Sequence, residues 1–148
     1  MKYKERNLSN NLKGYFLKEK FFVDKIESRL TTAGIPDLLV VSPNGFEQLI
    51  ELKVVEADGV LSLTPGQIAW HSKRNMRHCT HPFIILVEPR NKLLVVNSKK
   101  VLDIIEKGGK IDLDNVPDEC WFSRTATDYS MLTYVTTDLF HVSGRVYK

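Results

Sequence analysis

The 148-residue sequence has few of the features that mark membrane proteins, secreted proteins or structural zinc proteins. Its two cysteines, Cys79 and Cys120, lie far apart and form no CxxC pair, which argues against a disulfide scaffold and a four-cysteine zinc site. No apolar run approaches the roughly 18 residues of a membrane helix, and the opening MKYKERNLSNNLKG lacks the apolar region of a signal peptide. These absences predict a soluble, cytoplasmic protein that contacts no membrane.

Charge of one sign is also absent, and so are the common nucleotide-binding loops. Lys and Arg together number 21 and Asp and Glu 18, and the resulting net charge of +3 permits a polyanionic partner without requiring one. There is neither a GxxxxGK[ST] loop nor a GxGxxG turn to bind a nucleotide phosphate. An enzyme that acts on a nucleotide or another small phosphate compound is therefore less favoured than the two functions considered below.

Length and composition favour one folded domain. The chain is 43% hydrophobic and 26% charged, near the averages for globular proteins, and its length falls within the roughly 100 to 200 residues of a typical domain. We therefore expect residues 1–148 to form a single domain, with a core over about 8–108 and a C-terminal extension over about 109–148.

Hydrophobic periodicity predicts alternating helices and strands, and hence an α/β fold. A short helix is expected between Met1 and Lys20, with Ser9 or Asn10 as its cap. The segment 21–30 fits both a helix and a strand, and we favour a strand. Apolar runs predict strands at 36–41, 46–55, 82–87 and 93–96, and capping residues predict helices over 65–77, with Thr64 as N-cap, and over 98–107.

The central strands contain a carboxylate pair. Asn44-Gly45 is a strong signal for a hairpin turn between the second and third strands. Such a hairpin places Asp37 opposite position 51 or 52, and the two-residue period of a strand points Glu51 and Lys53 to the same face. We therefore expect the carboxylates of Asp37 and Glu51 to converge at one end of the hairpin.

Converging carboxylates with a nearby lysine are typical of metal-assisted phosphate chemistry. Hard divalent cations such as Mg²⁺ prefer oxygen ligands, and the Leu52 carbonyl is the natural third ligand beside Asp37 and Glu51. Lys53 would lie next to such a metal, where it can hold a scissile phosphate and neutralise developing charge.

These residues resemble the PD-(D/E)xK nucleases, whose signature here reads Pro36-Asp37 followed by Glu51-Leu52-Lys53. The strings GIPDLLVV (34–41), LIELK (49–53) and QIAW (67–70) are similar to the compact phage and VRR-type branch. The resemblance covers roughly residues 15 to 108. It implies an αβββαβ restriction-endonuclease-like core, in which helices flank a mixed central sheet, and a divalent-metal phosphodiesterase.

The resemblance also implies roles for individual residues. Asp37 and Glu51 would be metal ligands, Lys53 the catalytic lysine and Gln67 an auxiliary active-site residue. An upstream glutamate often completes such sites, and Glu27 is the first candidate, with Glu19 the second. The alternatives are that Glu27 pairs with a neighbouring Lys25 or Arg29 at the surface, and that Gln67 is simply solvated.

The predicted function is a Mg²⁺-dependent DNA endonuclease, with Mn²⁺ as a substitute metal. A phage or mobile-element role is expected, either as a sequence-specific homing-type enzyme or as a structure-specific junction resolvase. One active site cuts one strand, so double-strand cleavage predicts a homodimer or a larger symmetric homo-oligomer. The alternative is a non-catalytic nucleic-acid-binding or assembly protein on a nuclease-like core. The C-terminal extension could serve dimerisation or DNA contact.

Two further clusters lie near the helix over 65–77. Lys73, Arg74 and Arg77 form either a DNA-binding stripe facing phosphates or the solvated face of an amphipathic helix. His71, His78, Cys79 and His81 straddle the helix end and the loop after it, and no second Cys or His group completes a tetrahedral set, so no zinc site is predicted.

Overall fold

The computed structural model describes residues 3–26, 28–43, 45, 47–56, 59–88, 92–112 and 121–123. Three expectations therefore lie outside the described residues: the role of Glu27, the conformation of Asn44 and most of the C-terminal extension. The elements follow the chain as α1 (Tyr3–Lys18), β1 (Phe22–Lys25), α2 (Ser28–Thr32), β2 (Leu38–Val41), β3 (Glu47–Val55), α3 (Pro65–Asn75), β4 (Pro82–Val87), β5 (Lys92–Asn97), α4 (Ser98–Glu106) and β6 (Trp121–Ser123).

The strands form one mixed sheet in which the spatial order is the chain order, β1-β2-β3-β4-β5-β6. β3 and β4 are parallel, and the other neighbouring pairs are antiparallel. Parallel strands need a long crossover, which α3 provides. The expected α/β fold, with an αβββαβ core and a mixed sheet flanked by helices, is confirmed; the short helix α2 between β1 and β2 is an addition to that order.

Two hydrophobic clusters form the core. The first packs the apolar stripe of α1, namely Leu8, Leu12 and Phe16, against the sheet. The second packs α4 against the sheet through Val101 and Ile104. Every residue of β4 is buried, as expected for a strand covered on both sides. Among the described residues, no helix combines the length and the apolar character that a membrane crossing requires.

Helix boundaries account for most differences from the sequence predictions. The expected cap at Ser9 or Asn10 was wrong, because α1 already begins at Tyr3 and Ser9 is a fully buried residue within it. The ambiguous segment 21–30 contains both a strand, β1, and the start of a helix, α2. α4 is capped by Asn97, whose side chain accepts a hydrogen bond from the Lys100 backbone.

Candidate active site

The β2–β3 hairpin brings Asp37 and Glu51 together. Leu38 pairs with Ile50, so the next step of the ladder places residue 37 opposite residue 51. The Asp37 carboxylate accepts a hydrogen bond from the Leu52 backbone N–H at 2.9 Å. This side-chain bond lies directly beyond the last backbone pair of the β2–β3 ladder. The expected register of Asp37 opposite position 51 or 52 agrees with this arrangement.

A contact between two glycines fixes the bend that precedes Asp37. Gly34 has a positive φ of 107°, a conformation that glycine adopts without strain. A Cβ atom at this position would lie only 2.2 Å from the Gly66 carbonyl oxygen. The end of α2 and the start of α3 therefore pack backbone against backbone, and Asp37 and Gln67 line the same cavity.

Gln67 has a local structural role in addition to its place in the cavity. Thr64 accepts a hydrogen bond from the Gln67 backbone, and the Gln67 side-chain oxygen accepts one from the Thr64 backbone. This reciprocal capping box begins α3 as the sequence predicts. The Gln67 side chain is half-buried, closes the cap and lines the cavity.

The cavity is open to solvent, has a volume of about 680 Å³ and is bordered by charged side chains. The charged residues that line it are Glu5, Asp37, Lys53 and Glu56. Lys53 is half-buried and lies on the same face of β3 as Glu51, because strand side chains alternate. Glu51 itself is fully buried and contributes nothing to the cavity surface.

Burial dominates the electrostatics of the carboxyl pair. Burial first, and the neighbouring Glu51 carboxyl second, raise the pKa of Asp37 from 3.8 to about 8, although the Leu52 N–H and Lys53 oppose the shift. Burial likewise raises the pKa of Glu51 above its ordinary range, against the opposing effects of Asp37 and Lys53. Both carboxyl groups therefore hold their protons more tightly than a solvated carboxyl does.

This pair fits a divalent cation. Among the described residues, neither carboxylate oxygen of Glu51 has a hydrogen-bond partner, and an unsatisfied buried group costs roughly 1–3 kcal/mol. A hard cation bound by carboxylate oxygens would remove that cost and also neutralise the pair. No three His, Cys, Asp or Glu side chains in the described part of the chain converge as metal ligands.

Glu5 is an acidic residue at this site that the sequence reasoning did not identify. It lies in the first turn of α1, lines the cavity and is close enough to Glu51 to raise the pKa of that carboxyl. Its signal in the sequence is its position three residues before Leu8, on the buried face of the helix. Glu19, the second upstream candidate, lies just beyond the C-terminal end of α1. Its distance from Glu5 along the helix axis is roughly 21 Å, at about 1.5 Å of rise per residue.

Behind the carboxyl pair is a buried histidine. His71 of α3 is fully buried, and its Nε2 lies 3.8 Å from Glu51 Oε1. Its ring packs against Trp70 and Phe83, with ring centroids 4.9 Å and 4.8 Å away. Burial, and then the positive charge of Arg74, lower the pKa of His71 to about 4, so the ring is neutral at physiological pH.

The basic residues of α3 are partly engaged within the helix. The Arg74 guanidinium lies 3.6 Å from the centroid of the Trp70 ring and donates to the Trp70 carbonyl. Arg77 donates to the Lys73 carbonyl, and both Arg77 and Lys73 are exposed. None of these three basic side chains lines the cavity, so a DNA contact through them would extend the site over a neighbouring surface.

Comparison with known proteins gives the following relationships. No protein-family model matches the sequence, and no curated protein does. Among solved structures, one similar chain is described as a VRR_NUC domain, with 25% identity, a TM-score of 0.44, and coverage of 71% of this chain and 97% of that one. Another is Hjc, a Holliday junction resolvase of Archaeoglobus fulgidus, with 15% identity, a TM-score of 0.43, and coverage of 60% and 72%. The first of these structures bears the name of the branch that the strings around Asp37 and Glu51 resemble.

Proposed function

We propose that this protein is a divalent-metal-dependent DNA nuclease of the PD-(D/E)xK type. The observation that supports the proposal best is the buried pair of Asp37 and Glu51, with Lys53 beside it on the wall of an open cavity. Burying two carboxyl groups together disfavours their ionised forms and therefore costs folding free energy at neutral pH. Such arrangements are concentrated at functional sites.

Asp37, Glu51 and the Leu52 carbonyl would hold the metal, for which we propose Mg²⁺ with Mn²⁺ as a substitute. When bound, the metal supplies Lewis acidity and makes water a stronger nucleophile at neutral pH. The Leu52 N–H that bonds to the Asp37 carboxylate fixes the orientation of that carboxylate before any ligand arrives.

Lys53 and Gln67 act on the substrate side of the site. The Lys53 ammonium lines the cavity next to both carboxyl groups, where it can bind a scissile phosphate and stabilise the charge that develops on it. Gln67 lies across the same cavity, held by its cap to Thr64, and can orient the phosphodiester. Glu5 adds an acidic group to the cavity wall, and we propose Glu27 as the upstream glutamate of the site.

The expected partner is DNA, in a homodimer or larger symmetric homo-oligomer where both strands are cut. The exposed Lys73 and Arg77 would offer the phosphate backbone a basic surface at the C-terminal end of α3. We propose that the enzyme serves a phage or mobile element, either as a sequence-specific homing-type enzyme or as a junction resolvase. We also propose a cytoplasmic location and a single domain over residues 1–148.

The test is cleavage of a labelled panel comprising supercoiled plasmid, linear duplex, single strand and four-way junction, with Mg²⁺, Mn²⁺ or EDTA. We expect metal-dependent cleavage that falls by at least about 100-fold in Lys53→Ala, because one charge-stabilising group is commonly worth that much. Lys107→Ala is the matched control, since this exposed lysine pairs with Asp103 on α4 and does not line the cavity. The preferred panel member would identify the substrate class.

The rival is a protein that binds DNA without cutting it. It predicts DNA binding by the folded protein with no cleavage of any panel member in either metal. Full activity of Lys53→Ala would also contradict the proposal, because it would place the chemistry elsewhere.

A further inference from the structure

Two fully buried polar side chains, Glu51 and His71, face each other, and neither makes a hydrogen bond with any residue that the structure describes. Neither oxygen of Glu51 and neither ring nitrogen of His71 makes a hydrogen bond within the described part of the chain. The nearest approach between them is 3.8 Å, from His71 Nε2 to Glu51 Oε1. Buried polar groups in proteins are nearly always hydrogen-bonded, so two such groups facing one another need a physical reason.

The surroundings of His71 hold its ring towards Glu51. Phe83 is the residue of β4 that pairs with Glu51 of β3, and its ring lies tilted against the imidazole at 4.8 Å. Trp70 packs edge-on from the adjacent position of α3, and His81 lies beyond at 6.3 Å. Aromatic rings on these sides leave the Glu51 carboxylate as the polar group in front of the imidazole.

Packing alone does not explain a histidine here. An apolar side chain of similar size would fill the same aromatic pocket without bringing two ring nitrogens that lack partners. A histidine that serves only the core also usually has a hydrogen-bond partner, as His81 has in the Gln48 side chain, with 3.1 Å between Gln48 Nε2 and His81 Nδ1. His71 has no such partner among the described residues.

We propose that His71 is a positioning residue, whose Nε2–H donates to the Glu51 carboxylate and fixes it for metal binding. This inference rests on the proposed function, because it takes Glu51 as a metal ligand. Groups behind a metal's ligands orient those ligands and raise their affinity. A separation of 3.8 Å is longer than a hydrogen bond, but such contacts are often long in the free protein and tighten in the working complex.

The experiment measures Mn²⁺ binding to the full chain without DNA, by electron paramagnetic resonance of the free ion. We expect His71→Phe, which keeps an aromatic ring but no N–H, to bind Mn²⁺ roughly 10- to 100-fold more weakly while its melting temperature is retained. His71→Gln, which can present an amide N–H, should recover most of the affinity. His81→Phe is the matched control, because it changes the same aromatic group but does not face Glu51.

Wild-type affinity in His71→Phe would overturn the inference, and so would an equal loss in His71→Gln. If His71→Phe does not fold, the test is made on the wild-type protein, by NMR of the imidazole nitrogen resonances. Addition of Mg²⁺ should then shift the Nε2 resonance of His71 but not that of the exposed His78, and an unshifted His71 resonance would overturn the inference.

Failure of the proposed function looks different from failure of this inference. If the wild-type protein binds no Mn²⁺, or binds it equally well after Asp37→Ala, then the metal site itself is wrong. If the wild-type protein binds Mn²⁺ through Asp37 and His71→Phe is unaffected, only the role of His71 is wrong.

Discussion

Replacing Asp37 by Asn should make the metal-free protein more stable at neutral pH. Burial and Glu51 raise the pKa of Asp37 from 3.8 to about 8, so the folded state keeps a proton that the unfolded chain releases above pH 4. Stability falls with rising pH wherever the folded state binds more protons than the unfolded state. The loss of folding stability that Asp37 causes is absent below about pH 4, grows between about pH 4 and pH 8, and is constant above pH 8.

The size of the effect follows from the pKa shift. Between 3.8 and pH 7 there are about three pH units, each worth about 1.4 kcal/mol, so the group lowers the free energy of unfolding by about 4 kcal/mol at pH 7. Asn avoids this loss and can still accept the Leu52 N–H. Its new amide N–H₂ must find a partner, at a cost of roughly 1–2 kcal/mol, which leaves a net gain of about 2–3 kcal/mol.

The assay is urea unfolding and thermal melting in EDTA at pH 4 and pH 7. At pH 7 we expect Asp37→Asn to melt roughly 5–10 °C above the wild-type protein, since each kcal/mol moves the midpoint by a few degrees in a domain of this size. At pH 4 the gain should disappear, and the cost of the new amide should leave Asp37→Asn about 1–2 kcal/mol less stable than the wild-type protein. The control is Asp103→Asn, at a half-exposed carboxylate on α4, for which we expect a change within about 0.5 kcal/mol.

Adding Mg²⁺ provides the opposite arm of the same experiment. A ligand that binds only the folded state at 100 times its dissociation constant adds about 2.7 kcal/mol. The wild-type protein should gain this stability and Asp37→Asn should gain little of it. An Asp37→Asn protein that is no more stable than wild type at pH 7 in EDTA would refute the view that burial of this carboxyl is a cost the fold carries for function.

Three further predictions concern the scaffold and its charged surface. Gly34→Ala should lower the free energy of unfolding by about 3 kcal/mol or more, because the new Cβ meets a backbone oxygen. Gly14→Ala, in open space within α1, should instead raise it by about 0.5–1 kcal/mol. Thermal melts measure both, and equal melting temperatures of the two variants would contradict the backbone contact at Gly34. Thr64→Ala should cost about 1 kcal/mol through loss of the α3 cap, which urea unfolding measures, and an unchanged midpoint would dismiss the cap as a contribution. Arg77→Ala should weaken DNA binding equally for all sequences and reduce its salt dependence by about one phosphate contact. Titrations at several salt concentrations measure this as the slope of affinity against salt concentration. An unchanged slope would mean that this face of α3 is solvated and does not contact phosphate.

Features set by local chemistry could be predicted from the sequence. The register that places residue 37 opposite residue 51 follows from a short turn and a two-residue period, and the Thr64 cap follows from side chains three residues apart. The start of α1 could not be found in this way, because Ser9 has the chemistry of a cap but lies on a face that the tertiary structure buries.

The parts of the site that depend on distant segments were not visible in the sequence. Glu5 reaches the cavity only because α1 packs along β3, and His71 meets Glu51 only because α3 crosses over to the parallel strand β4. Neither residue belongs to the motif around Asp37, and no local rule links either of them to it. A glutamate was expected upstream, but the spacing to the motif could not identify which one.

The order of the strands has a consequence for how the protein is made. Every strand of the sheet lies beside its neighbour in the chain, so a chain growing from its N-terminus can add each strand to an edge that already exists. The hairpin that contains Asp37 and Glu51 is complete before α3 and β4 have been synthesised. At that stage Glu51 still lacks two of its neighbours in the finished fold, namely His71, whose Nε2 lies 3.8 Å from Glu51 Oε1, and Phe83, its pairing residue on β4. We therefore expect the energetic burden of the site to fall on one late step of assembly, after the strands that bear it are already paired.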